Sequence, residues 1–162
     1  ARSGPPAASD RSVPPDGVPR TIRIPVKQPG LHEITVSDGR DMTRVAWKPG
    51  VPMTLKSSLK EPLNVAGRWS LYFYVPRGTK VVGLYAAGRG KIVDPAGRAV
   101  LSLDGKKPGY HRIEVSPGCD GRLWKIDRAS GAVRLMTVPP YLARSGRELL
   151  LPAEVVGRDA GR

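Results

Sequence analysis

The chain has 162 residues, with 27 Lys and Arg against 14 Asp and Glu and a formal net charge of +13. That length suggests one domain able to bury its own core without help from a disulfide or a metal. The single cysteine, Cys119, excludes an internal disulfide, and no apolar run approaches the roughly 18 residues needed for a transmembrane helix.

A balance this basic attracts anions: nucleic acid, acidic polysaccharide or an anionic cell surface. The arginines are scattered singly, however, and the only adjacent basic pair is Lys106-Lys107. With no basic tract and no basic helix, the pattern favours a generally cationic surface and argues against a nucleic-acid groove. Gly (19) and Pro (17) are abundant and recur every several residues, which fits many short strands joined by tight turns.

The chain opens ARSGPPAASDRSVPPDG, with no initiator Met and no signal peptide, and is expected to be a mature product or a fragment of something longer. Residues 1–19 hold almost no large apolar side chain and are expected to be a linker. Thr21–Val26 alternates Ile22 and Ile24 with Arg23, and Pro25 places that run on a sheet edge or at a bulge. Leu31–Val36 follows the turn Gln28-Pro29-Gly30, and Ser37-Asp38-Gly39-Arg40 turns again. Met42–Trp47 and Val51–Lys56 are the third and fourth strand-like runs, before a polar connection to Gly67.

The central stretch is WSLYFYVPRGTKVVGLYA, Trp69–Ala86. Trp69, Leu71, Phe73 and Val75 share one face, and Ser70, Tyr72 and Tyr74 share the other. The turn Pro76-Arg77-Gly78-Thr79 leads into a second run from Lys80. Gly88-Arg89-Gly90 reads as a further turn before Lys91-Ile92-Val93, and Asp94-Pro95-Ala96-Gly97 as a β-turn. Arg98–Leu103 and Tyr110–Val115 are short strands separated by a loop. Leu123–Ile126 and Ala132–Val138 read as a hairpin around Arg128-Ala129-Ser130-Gly131. Glu148–Leu151 is expected to be the last strand, with a tail beyond. About eleven short runs and no sustained helical period predict an all-β domain, an antiparallel β-sandwich of jelly-roll type with little helix. It is taken to span residues 20–156, with 157–162 as the tail.

No catalytic motif is found. His32 and His111 have no metal-ligand neighbour at i+2 or i+4, and with Cys119 they are too few for a four-coordinate zinc. There is no nucleophile elbow and no phosphate-binding loop. Glu33 and Glu114 are the in-strand carboxylates that a general acid–base pair would draw on. No cofactor is called for, although the turn aspartates Asp38, Asp41, Asp94, Asp104, Asp120 and Asp127 offer oxygen ligands for a structural Ca²⁺. Cys119 reads as an incidental thiol at a turn.

Aromatic side chains are the best functional candidates, because sugar rings stack on exposed aromatic faces. Trp47, Trp69, Tyr72, Tyr74, Tyr85, Tyr110, Trp124 and Tyr141 are available. Trp69 and Trp124 are in phase with aliphatic neighbours and read as core. For Tyr72 and Tyr74 two readings stand: a half-buried layer, or a binding platform. Tyr72, Tyr74, Trp47, Arg77 and Arg112 are the candidate ligand-binding residues. Arg77, Arg112 and Arg134 are able to grip carboxylates or sulfates bidentately if they border such a platform.

Four segments in order, LYFYVPRGT, DPAGRAV, VSPGCDGRLWKI and TVPPYLARSGRELLLP, resemble the C-terminal β-sandwich accessory domain of large secreted bacterial proteins, many of them glycoside-hydrolase-like. The resemblance covers about Arg68 to Val156. It implies a noncatalytic, carbohydrate-binding-module-like domain, secreted or at the cell surface, beside the catalytic domain of a parent chain. It transfers no binding residue. The chain departs from the family pattern at Cys119, where a polar residue is expected, and at Thr137, where Asn is usual. The expected function is therefore that of a nonenzymatic module that binds or positions polysaccharide, including acidic polysaccharide, for an attached enzyme. The alternative is a structural or self-assembling sandwich whose edge strands pair between copies.

Overall fold

The computed structural model describes residues 8–37, 43–63 and 65–160, and the chain divides into two units, Ala1–Ala46 and Trp47–Arg162. In the first unit no strand or helix forms among the described residues. The expected strands Thr21–Val26 and Leu31–Val36 are thus corrected: both are exposed and belong to no ladder. Alternation makes a segment able to pleat, but its backbone hydrogen bonds still need a second strand, and an isolated pair is marginal in water. The expected run from Met42 forms no strand over residues 43–47, while Met42 and the turn aspartates Asp38 and Asp41 lie outside the described residues.

The second unit is all-β and antiparallel. Its strands are β1 (Leu55–Lys56), β2 (Trp69–Val75), β3 (Val81–Val93), β4 (Ala99–Asp104), β5 (Gly109–Glu114), β6 (Arg122–Leu135) and β7 (Tyr141–Leu142), followed by one helix, α1 (Ala153–Ala160). A five-stranded sheet runs β2-β6-β3-β4, with β5 also on β3, and a two-stranded sheet pairs β1 with β7. Among the described residues the pairings establish an antiparallel all-β architecture in two sheets. Val51–Lys56 contracts to β1, and Glu148–Leu151, expected as a strand, pairs with nothing as one.

Two strands are longer than their sequence suggests. Gly88-Arg89-Gly90 is no turn but the bend of a continuous β3, and Arg128–Gly131 is no hairpin but the bend of a continuous β6. The two bends face each other, with Gly88 opposite Gly131 and a register shift between Arg89 and Lys91. At Gly88 (φ 153°) an added Cβ would stand 1.7 Å from the Ser130 carbonyl oxygen, and at Gly131 (φ 78°) it would stand 2.1 Å from that of Ala87. Only residues without a side chain allow so close a backbone approach at these dihedrals. The bend divides the far edge of β3. β5 pairs along Val81–Ala86, and β4 pairs along Arg89–Val93.

The inward residues of both halves make one core. Leu71, Phe73 and Val75 of β2 meet Trp124 and Ile126 of β6, Val82, Leu84 and Ile92 of β3, and Leu142 of β7. Phe73 and Trp124 lie 6.2 Å apart between ring centroids, and the Trp124 indole N–H donates to the Cys119 carbonyl at 2.8 Å. Cys119 therefore lines the core rather than standing free at its turn. Its Sγ lies 3.9 Å from Asp94 Oδ2, and the Arg98 guanidinium is 3.7 Å away. Asp94 is itself buried: Oδ1 accepts from the Ala96 and Arg98 N–H groups at 3.0 and 2.9 Å, and Oδ2 accepts from Arg98 Nε at 2.7 Å. Burial acts to raise its pKa, but the Arg98 and Ala96 hydrogen bonds outweigh it and hold the carboxyl below its ordinary value.

Candidate functional site

Strand alternation sends Tyr72 and Tyr74 to the outer face of β2, as the sequence predicts, but neither is open. Each is half-buried. The backbone of Tyr72 is held by Ala143 through hydrogen bonds of 2.7 and 3.0 Å in the two directions. Lys125 Nζ sits 6.0 Å from its ring centroid and is ion-paired to Asp127 at 2.7 Å. Asp127 also accepts from the Ser70 hydroxyl at 3.1 Å, and the Ser70 oxygen takes the Arg128 N–H at 2.9 Å.

The Tyr74 hydroxyl donates to Asp159 Oδ2 at 2.5 Å, so the last turn of α1 is tied to this tyrosine. The same carboxylate takes the Arg77 backbone N–H at 3.2 Å. Burial, and then the Asp159 bond and charge, push the Tyr74 phenol up to about 12. Within the turn after β2, the Gly78 N–H donates to Asp120 at 2.7 Å and is the first cause that holds that carboxyl below its ordinary value. The Arg77 side chain runs over Gly121, where an added Cβ would stand 2.6 Å from its Cγ. α1 occupies residues expected to end a strand domain and begin a tail, and its anchor Asp159 is a structural contact that the sequence analysis does not include. The signals for it were present: Pro152 at the helix start, Glu154 in the first turn and Arg158 in the last.

Trp47 is also engaged. The Arg144 guanidinium lies 3.7 Å from its ring centroid, and its indole N–H is buried without a hydrogen-bond partner. Arg144 reaches Glu148 at 4.0 Å.

The structure assembles a different aromatic group on the outer face of β5, β3 and β6. Tyr85 pairs across strands with Tyr110 on one side and Arg134 on the other. The two tyrosine rings meet edge to face at 5.4 Å and 63°, and the Arg134 guanidinium stands 5.3 Å from the Tyr85 centroid. Arg134 Nε is buried without a hydrogen-bond partner. Tyr110 is 71% exposed. One row along, Arg112 lies opposite Gly83, exposed, with Nε and Nη2 on Glu114 Oε1 at 3.0 and 2.8 Å. Thr137 closes the row: its hydroxyl donates to the Val81 carbonyl at 3.0 Å and accepts the Gly83 N–H at 2.7 Å.

Arg112 is therefore close to Tyr110 and not to Tyr72 or Tyr74, which lie across β6 and β3. Adjacent strands are spaced about 4.8 Å apart, so three spacings separate β2 from β5. The expected residues divide into a covered group (Tyr72, Tyr74, Arg77), a stacked tryptophan (Trp47) and one member (Arg112) of an open group with Tyr85, Tyr110 and Arg134. Chemically, the open group offers an aromatic rim for sugar C–H faces and guanidinium donors for carboxylate or sulfate.

Among the described residues no three His, Cys, Asp or Glu side chains gather as a metal site, and Asp94, Asp104, Asp120 and Asp127 each bond local N–H groups or basic side chains. Among them too, no helix is long and apolar enough to cross a membrane.

The fold defines an all-β antiparallel module. Beyond that class, no family model matches the chain, and neither a curated protein nor a solved structure matches it. The likeness to accessory sandwich domains rests on the four sequence segments alone.

Proposed function

We propose that this module is a noncatalytic binder of polysaccharide, with acidic glycans as its ligand class, and that the ligand lies on the Tyr110–Tyr85–Arg134 face. One observation carries the reading: an exposed tyrosine is braced edge-on by a second ring, and a guanidinium with an unpartnered Nε stacks on that ring. Bracing limits the rotamer freedom that binding would otherwise remove. Arg134 and Arg112 share the face of Tyr85 and carry guanidinium groups of the kind that take a carboxylate or sulfate, and the +13 balance draws such chains to the surface. In a secreted or surface setting the module would position the polysaccharide for a catalytic domain of the same parent chain. Affinity electrophoresis tests the reading. The chain is expected to be retarded by polygalacturonate and dextran sulfate more than by neutral dextran, with Arg134→Gln weakening the acidic preference. Absence of retardation by any of the three refutes it.

A further inference from the structure

Two turns of the sheet, the one after β3 and the one before β6, frame a surface cleft of about 360 Å³ that shares no residue with the tyrosine face. Asp94–Gly97 is closed by the Gly97 N–H on the Asp94 carbonyl, and Ser116–Cys119 by the Cys119 N–H on the Ser116 carbonyl, each at 3.0 Å. Pro95 and Pro117 hold the second position of these turns and fix φ there, so the walls are set before any ligand arrives. The register of β3 on β6 supplies the third side. Val93 lies opposite Lys125, so the turn that follows Val93 passes the start of β6 at Arg122.

Arg98 and Arg122 both line the cleft. The Arg98 guanidinium is held in place by a buried carboxylate. Its Nε and Nη2 each donate to Asp94 Oδ2 at 2.7 Å, and Nη2 stands 3.7 Å from Cys119 Sγ. Its Nη1 has no partner among the described residues. Arg122 is exposed, and its side chain makes no hydrogen bond or ion pair among the described residues. The carboxylate nearest to it in sequence, Asp120, is turned instead to the Gly78 N–H at 2.7 Å. Two guanidinium groups therefore share one carboxylate, and one of the two positive charges has no counterion.

We propose that this cleft binds a sulfate or phosphate ester group carried on a small polar body such as a sugar. Guanidinium donors held in a fixed array match the oxygens of such groups. The oxyanion lies between Arg98 Nη1 and the Arg122 guanidinium. The cleft is larger than one ion needs and falls in the range of roughly 300–1,000 Å³ usual for small-molecule sites. The remaining space takes the body of the ligand against the Pro95 and Pro117 rings. Because the turns are preformed, little ordering opposes binding.

The test is an NMR titration of the isotope-labelled full chain, at constant ionic strength, with glucose-6-sulfate, glucose-6-phosphate, inorganic sulfate and glucose. The proposal expects saturable shifts at the Ala96, Arg98, Cys119 and Arg122 amides with at least one of the esters, weaker binding of inorganic sulfate and no binding of glucose. Arg122→Gln, at an exposed position, should keep the fold and weaken ester binding about tenfold, the effect of losing one charge-assisted contact. Lys106→Gln removes the same charge from the loop between β4 and β5, and Tyr110→Ala removes the open tyrosine; both should bind the ester as the parent does. Absence of saturable shifts at the two turns with either ester overturns the proposal. So does equal weakening by Lys106→Gln and Arg122→Gln, which means diffuse attraction, or equal affinity for inorganic sulfate and the esters, which means an adventitious ion only. Loss of ester binding in Tyr110→Ala assigns the ester to the tyrosine face and overturns it as well.

Discussion

Replacing Gly88 by alanine tests the account of the sheet's bend. The new methyl would lie 1.7 Å from the Ser130 carbonyl oxygen and 2.8 Å from its carbon, and both atoms are backbone. No rotamer change relieves that overlap, so β3 must move off β6 at the bend, and a residue with a side chain must hold φ near 153°. Backbone strain of this kind costs about 1–3 kcal/mol. Two or so displaced ladder bonds add about 1 kcal/mol each. The sum is about 3–5 kcal/mol, a large share of the roughly 5–15 kcal/mol that holds a domain together. Gly97→Ala is the matched control. Gly97 also has positive φ (82°), but an added Cβ there meets nothing within 4 Å, so only the conformational cost of about 1–2 kcal/mol applies. Urea unfolding followed by tryptophan fluorescence reads both, since Trp124 is buried in the native core. Equal losses for the two variants would refute the claim that close approach of two strands, rather than dihedral preference, makes Gly88 necessary.

The electrostatic contacts give further tests. Asp94→Asn should cost about 1–2 kcal/mol at neutral pH by removing the charge that Arg98 grips. The folded pKa of Asp94 lies below the ordinary 3.8, so its stabilisation is complete above that value and is lost as pH falls through and beneath it; urea midpoints of parent and variant should converge in acid. Tyr74 should ionise near 12 in an ultraviolet titration and move back toward 10 in Asp159→Asn. Because its folded pKa is raised, the stability it contributes is intact below 10 and lost as pH climbs from there through 12. Cys119 should resist a thiol reagent in the native protein and react on unfolding, because its side chain lines the core.

The parts of this structure that depend on neighbours in sequence were legible; those that depend on partners were not. β2 is read residue for residue, because Leu71, Phe73 and Val75 alternate against Tyr72 and Tyr74 and a Pro-Arg-Gly-Thr turn closes the run. The Asp94 turn is likewise local, with the Gly97 N–H on the Asp94 carbonyl at 3.0 Å. β3 and β6 were each divided in two because glycine-rich punctuation looks the same at a turn and at a bend. Only the pairing of Gly88 with Gly131 distinguishes them. Ile22 and Ile24 carry the pattern of a strand, yet pattern supplies no partner. At the site, Tyr85, Tyr110, Arg112 and Arg134 were all visible as residue types. Their meeting depends on the registers of β5 and β6 against β3, which no local signal encodes. Tyr74 could not be assigned to a covered face without α1, which is tied to it through the side chain of Asp159.

The most direct test of the proposed binding face is calorimetric titration of an acidic oligosaccharide, such as a galacturonate oligomer, into the parent chain, Tyr110→Ala and Tyr72→Ala. Neither substitution alters net charge, so diffuse attraction to a basic surface affects all three equally. The account predicts that Tyr110→Ala loses about 1–2 kcal/mol, roughly a five- to thirtyfold weakening, by removing the stacking ring, while Tyr72→Ala binds as the parent does. Equal affinity of the parent and Tyr110→Ala, or a loss confined to Tyr72→Ala, would contradict it.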